Sequence, residues 1–202
     1  MVMMVVMPLS QSRKESDMKP QSYLDFEAIP HDGEPNYSAL AKAVHVLHGA
    51  FSGNPEKYAI AFPSAKIGEE YRTAGCVIRV FASSCDDLYD LMKLVSGHIT
   101  IRDYMRVTIP CDVPDNFSGK WRAWIRVRVQ KKEGINRDKT VARAQQSPFF
   151  EIASSSGNRF AMRFTNLLGS RQTDDCKPSS YGLASQGNRA GKGKNLFYLP
   201  EL

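Results

Sequence analysis

Two histidines, His45 and His48, stand three residues apart in a segment of helical spacing, where Leu40, Val44, Leu47 and Phe51 recur at i, i+4, i+7 and i+11. At about 100° per residue, His48 falls about 80° from the Leu40 direction and His45 about 140°. His48 is therefore expected at the sheltered edge of an apolar stripe, and His45 toward water. A half-sheltered imidazole suits general acid–base chemistry, although a histidine at the edge of a core can equally be structural. As a metal pair the two lack a third histidine or a carboxylate at ligand spacing, so neither metal nor cofactor is expected. Further along, Ser154-Ser155-Ser156-Gly157 could hold a phosphate or a hydroxyl, or could be only a hairpin turn.

Charge marks a second kind of site. From Gly119 to Arg143 there are nine basic residues, Lys120, Arg122, Arg126, Arg128, Lys131, Lys132, Arg137, Lys139 and Arg143, against Glu133 and Asp138. That window carries +7, whereas the rest of the chain, with 18 basic and 19 acidic residues, carries −1 within a total of +6. Charge pooled in this way is what a phosphate-contacting surface looks like. Inside the window, Ala123–Lys131 alternates: Ile125, Val127 and Val129 point one way, and Trp124, Arg126, Arg128 and Gln130 the other. One face is expected to pack. The other would offer guanidinium, amide and indole groups, a mixture suited to RNA recognition by shape and stacking.

Several other chemistries are excluded. There is no G-x-S-x-G elbow, and Gly187–Lys194 fails the P-loop spacing. Cys76, Cys85, Cys111 and Cys176 form no C-x-x-C pair, and four scattered thiols suit a reducing cytoplasm. No apolar run approaches the roughly 18 residues that span a membrane. Met1–Met7 lacks the basic flank and cleavage site of a signal peptide.

The elements that must position these residues can be read from periodicity. Tyr23–Ile29, Tyr58–Phe62, Cys76–Phe81 and Ile99–Ile109 read as strands, and Ser38–Phe51 and Ser84–Val95 as helices, with Ser38 a plausible N-cap. The order β-α-β-β-α-β is the ferredoxin-like pattern, and the fold class expected is α+β. Phe149–Ala153 and Arg159–Phe164 read as strands on either side of the serine run. Residues 1–21 are expected to be a flexible N-terminal extension, with Met18 a possible alternative start. A ferredoxin-like domain would then occupy 22–112 and an RNA-binding and processing domain 113–202, with the boundary in the Cys111–Lys120 loop.

Several segments, taken in order, resemble the type I-F CRISPR RNA-processing endoribonucleases of the RAMP superfamily. They are Val46-Leu47-His48-Gly49, Ile60-Ala61-Phe62-Pro63, Arg128-Val129-Gln130, Thr140-Val141-Ala142-Arg143-Ala144 and Pro148-Phe149. Ser154–Gly157 ahead of Phe160 follows, and then Ser180-Tyr181-Gly182-Leu183. The resemblance spans about Tyr23 to Leu202.

It implies metal-independent cleavage of precursor CRISPR RNA at the base of a repeat hairpin. The 2′-hydroxyl attacks the adjacent phosphate and leaves a 2′,3′-cyclic phosphate. His48 would be the general base, a serine would hold the hydroxyl, and Tyr181 would orient the histidine. Counting from Pro148-Phe149 selects Ser154, while counting back from Phe160 leaves the choice between Ser154 and Ser156. Arg128 and Gln130 would read bases, and Phe160 would stack on the terminal base pair. Arg126, Lys131, Lys132, Arg137, Lys139 and Arg143 complete the expected RNA contacts. The implied partners are the repeat hairpin and the other subunits of a type I-F surveillance complex. The rival reading is a non-catalytic RNA-binding subunit on the same fold. One departure stands out: the family carries an arginine-rich helix before the Thr-Val-Ala-Arg segment, whereas Lys131 to Lys139 is expected to form only a short loop.

Overall fold

The structure, a computed structural model, describes residues 18–31, 36–68, 72–129, 135–153, 159–169, 176–184 and 196–202. It is a mixed α/β molecule with two antiparallel sheets. In the first half, β1 (Ser22–Ala28), α1 (Asn36–Ser52), β2 (Ala59–Ala61), β3 (Val77–Ala82), α2 (Cys85–Val95), α3 (Ile99–Tyr104) and β4 (Met105–Val107) follow one another. The sheet order is β2-β3-β1-β4, and each neighbouring pair is antiparallel. The two-residue β5 (Cys111–Asp112), within the expected loop, also pairs with β1.

Alternation decides the inward face of β1. Leu24, Phe26 and Ala28 are buried with Ser22, while Tyr23, Asp25 and Glu27 face outward, where Asp25 holds Arg79 through two hydrogen bonds of 2.7 and 2.8 Å. The helix α1 buries Leu40, Val44, Leu47 and Phe51, the stripe that its spacing predicts. It begins at Asn36, so Ser38 lies within its first turn rather than at its cap. At α2, Ser84 is the N-cap: its hydroxyl accepts a bond from the Asp87 amide at 3.2 Å.

The strand expected over Ile99–Ile109 is instead a short helix followed by three residues of strand. The His98 imidazole caps that helix by accepting from the Thr100 amide at 3.2 Å. Three branched residues among Ile99–Ile101 favour strand by propensity, but a side-chain cap and the burial of Thr100 and Ile101 override it.

The second sheet has the order β7-β8-β6-β9, from β6 (Trp121–Val127), β7 (Phe149–Ala153), β8 (Arg159–Gly169) and β9 (Leu199–Pro200). The helix α4 (Ile135–Gln145) lies between β6 and β7 in the chain. The two halves share one core. Phe62, just past β2, inserts among Phe164, Phe150 and Trp124, with ring centroids 4.3, 5.3 and 5.4 Å away. Trp124 is only 4% exposed, so its indole is not offered to a ligand as the alternation of Ala123–Lys131 suggested. Both faces of β6 are covered here, one of them by the first half of the chain. Met18 is also in the core, and the Gln21 amide bonds the Ala82 carbonyl at 3.1 Å.

Candidate active site and nucleic-acid interface

His48 lies one residue past Leu47 on α1, half-buried at the edge of the apolar stripe, while His45 is exposed. Its environment comes from a segment far away in sequence. Residues 176–184 are pinned between the two halves: the Ile60 amide donates to the Gly182 carbonyl at 2.8 Å, and the Ala184 amide to the Trp124 carbonyl at 2.7 Å. Within the segment, the Gly182 amide donates to the Ser179 carbonyl at 2.7 Å. This closes a tight turn with Ser180 and Tyr181 at its corners.

Gly182 has φ of +70°, and a Cβ there would come within 3.0 Å of Phe51 Cε2 and 3.1 Å of Ile60. Only glycine fits this position without strain or displacement.

The turn presents two groups to His48. The Ser180 carbonyl lies 2.8 Å from Nδ1 of the imidazole. A carbonyl can only accept, so Nδ1 carries the proton and Nε2 of the neutral ring holds the lone pair. The Tyr181 ring is stacked on the imidazole, with centroids 3.7 Å apart and planes 4° from parallel. Beyond Tyr181 the stack continues. The Arg126 guanidinium carbon is 4.9 Å from the Tyr181 centroid and 5.7 Å from that of Phe160. Imidazole, phenol, guanidinium and phenyl thus form one column from α1, the 176–184 segment, β6 and β8.

Four of the residues expected at the site, His48, Tyr181, Arg126 and Phe160, therefore meet. Arg128 is exposed just past the end of β6. Ser154, Ser156, Gln130, Lys131 and Lys132 lie outside the described residues. By chain connection, residues 154–158 join Ala153 to Arg159, which face each other across β7 and β8. Among the described residues, no three His, Cys, Asp or Glu side chains converge to hold a metal ion.

The expected short loop before Thr140 is a correction, because α4 already begins at Ile135 and carries Arg137, Lys139 and Arg143. Lys139 and Arg143 are exposed, one turn apart on one face, while Ala144 is buried and Arg137 partly so. With so little apolar surface, the helix is fixed at its C-terminus. Arg163 on β8 donates to the Ala144 carbonyl at 2.8 Å, and Arg72 to the Gln145 carbonyl. Cations there also match the sign of the helix dipole.

Sequence reasoning missed the Ser180 carbonyl, the need for glycine at 182, and the stacking of Arg126. Only the glycine itself, which supplies positive φ in turns, hinted at the second.

Comparison with known proteins identifies the family. No curated protein matches the chain significantly. Residues 23–147, more than half of the chain, match the CRISPR-associated protein family Cas_Csy4. That span takes in His48, the basic strand and the basic helix, and among the described residues no helix is long and apolar enough to cross a membrane. The chain belongs to the Csy4 family of CRISPR-associated proteins, which process CRISPR RNA.

Proposed function

We propose that this protein cleaves precursor CRISPR RNA at the base of a repeat hairpin without a metal ion. In the reaction, Nε2 of His48 takes the proton of the 2′-hydroxyl, and the freed oxygen bonds to the adjacent phosphorus. The bond from phosphorus to the 5′ oxygen breaks, and that oxygen takes a proton from solvent. The products are a 2′,3′-cyclic phosphate and a 5′-hydroxyl. Ser154 or Ser156 holds the attacking hydroxyl, and Tyr181 keeps the imidazole plane fixed. Removing the nucleophile's proton and holding it in line are the two demands of this chemistry.

The observation that carries the reading is the His48–Ser180 hydrogen bond of 2.8 Å, which selects the tautomer with its lone pair on Nε2.

On the RNA side, Phe160 stacks on the last base pair and Arg128 and Gln130 read base edges. Lys131, Lys132, Arg137, Lys139 and Arg143 contact phosphates, the last three from α4, and Arg126 supports the stack. In this reading α4 takes the place of the arginine-rich helix, so the hairpin docks without help from other subunits. The protein then stays on the 3′ hairpin of the mature guide within a type I-F surveillance complex. The order β2-β3-β1-β4 supports reading residues 22–112 as a ferredoxin-like domain, and in this reading 113–202 are a RAMP-type RNA-binding half.

The test is to incubate a repeat hairpin with excess EDTA. Wild type should cut it, and His48→Ala should bind it but leave it intact. If both bind and neither cuts, the chain is an RNA-binding subunit without catalysis. If cutting needs added divalent metal, the mechanism is wrong.

A further inference from the structure

The flank of α1 away from His48 borders a groove of about 750 Å³, shared with α3, β7 and the start of β8. Among the described residues that line it, Lys42, Arg72 and Arg159 are the cations, His45 and His98 stand beside them, and Glu151 is the carboxylate. Two aromatic side chains stand at it with much of their surface in solvent, Tyr37 at 59% and Phe149 at 45% exposed. A cationic groove with exposed rings is the construction that binds single-stranded nucleic acid: the charges track phosphates, and the rings take bases of any identity. A duplex offers its bases already stacked and has no use for such rings.

The groove adjoins the cleavage column through two elements. On β8, Phe160 joins the Arg126–Tyr181 stack, while its neighbour Arg159 lines the groove. On α1, His48 lies in the column and His45 in the groove, three residues apart. An unpaired strand leaving the scissile phosphate therefore needs only to round the end of the β7–β8 pair to enter it.

Resting on the cleavage reading above, we propose that this groove binds the single-stranded RNA on the 3′ side of the cut. The hairpin is held by the basic strand and helix, and the groove holds the segment released as the next guide's 5′ end. Binding there pulls the strand taut across the cut, because the two sites grip opposite sides of the scissile phosphate.

The experiment measures affinity with the full-length His48→Ala protein. One RNA is a repeat hairpin that stops at the cut. The other carries a 3′ extension of about eight nucleotides, a length one such groove can track. The extension should tighten binding by about five-fold or more, the effect of one base stacked on one ring. It should also steepen the dependence of log K on log salt by about 0.7 for each added phosphate contact. Lys42→Glu with Arg159→Glu should abolish the gain, and Tyr37→Ala should reduce it, all three leaving affinity for the short hairpin unchanged. A 4-thiouridine within the extension should crosslink to Tyr37 or Phe149.

An extension that adds nothing, a gain that survives the charge reversals, or crosslinks confined to other surfaces each overturn the proposal. So does equal weakening of both RNAs, which would assign these charges to the stem. Cleavage by the wild-type protein is read on the extended RNA, so loss of the cleavage reading and loss of the groove are told apart.

Discussion

Replacing Gly182 by alanine tests whether the His48 environment is built by the turn that Gly182 closes. Two costs follow from the structure. The residue has φ of +70°, where an L side chain costs roughly 1–2 kcal/mol. The new Cβ would also lie 3.0 Å from Phe51 Cε2 and 3.1 Å from Cγ2 and the amide of Ile60. Phe51 and Ile60 are 2% and 1% exposed and cannot swing aside, so overpacking adds roughly 1–3 kcal/mol. Together these make about 2–5 kcal/mol against keeping the turn seated.

The cheapest escape is to release the turn, which withdraws the Ser180 carbonyl and the Tyr181 ring from His48. A penalty of about 3 kcal/mol leaves the competent arrangement in roughly one molecule in a hundred, and the cleavage rate should fall by a similar factor. Hairpin affinity should fall far less, because α4 and Arg128 lie away from the turn and only Arg126, stacked on Tyr181, loses a neighbour. Single-turnover cleavage and direct binding, measured side by side, separate the two. Cleavage at the wild-type rate would refute the positioning argument. Binding and cleavage falling in parallel would show that the segment serves the fold or the RNA surface instead.

Three further outcomes follow. Arg128→Ala should relax sequence preference at one stem position by about 1–3 kcal/mol, seen by comparing hairpins changed at single base pairs; uniform weakening would make Arg128 a phosphate contact. Lys139→Ala, on the exposed face of α4, should weaken all hairpins alike and lower the salt slope by about 1. Phe164→Ala should lower unfolding stability by about 3–5 kcal/mol in denaturant titration, because its fully buried ring joins Phe62, Phe150 and Trp124 across the two halves.

Much of the first half of the fold was legible because β1 and α1 each show one inside and one outside, whereas Ile99–Tyr104 reads as strand by propensity and is a helix. β1 alternates and α1 carries a single stripe, so periodicity placed Leu24, Leu40 and His48 correctly. Trp124 was misplaced because the same reasoning assumed that one face of its strand meets solvent, whereas Phe62 from the other half of the chain covers it. The helix α4 was missed because most of its residues are polar, and it is fixed instead by guanidinium groups of Arg72, from the connection between β2 and β3, and Arg163, from β8. At the site, His48 could be singled out from its place on a helix. The Ser180 carbonyl that orients it lies 132 residues away, in a contact that no spacing rule encodes. Tyr181 and Phe160 entered through family resemblance, and the Arg126 guanidinium between them was legible only in three dimensions.

The most direct test of the central claim uses an RNA in which only the nucleotide before the cut lacks its 2′-hydroxyl. With the native RNA in EDTA, the account predicts cleavage to a 2′,3′-cyclic phosphate and a 5′-hydroxyl, identified by mass spectrometry. The 2′-deoxy RNA should bind equally well and remain uncut. Cleavage of the deoxy substrate, or a product with a 5′-phosphate, would contradict the assignment of His48 as the base that activates that hydroxyl.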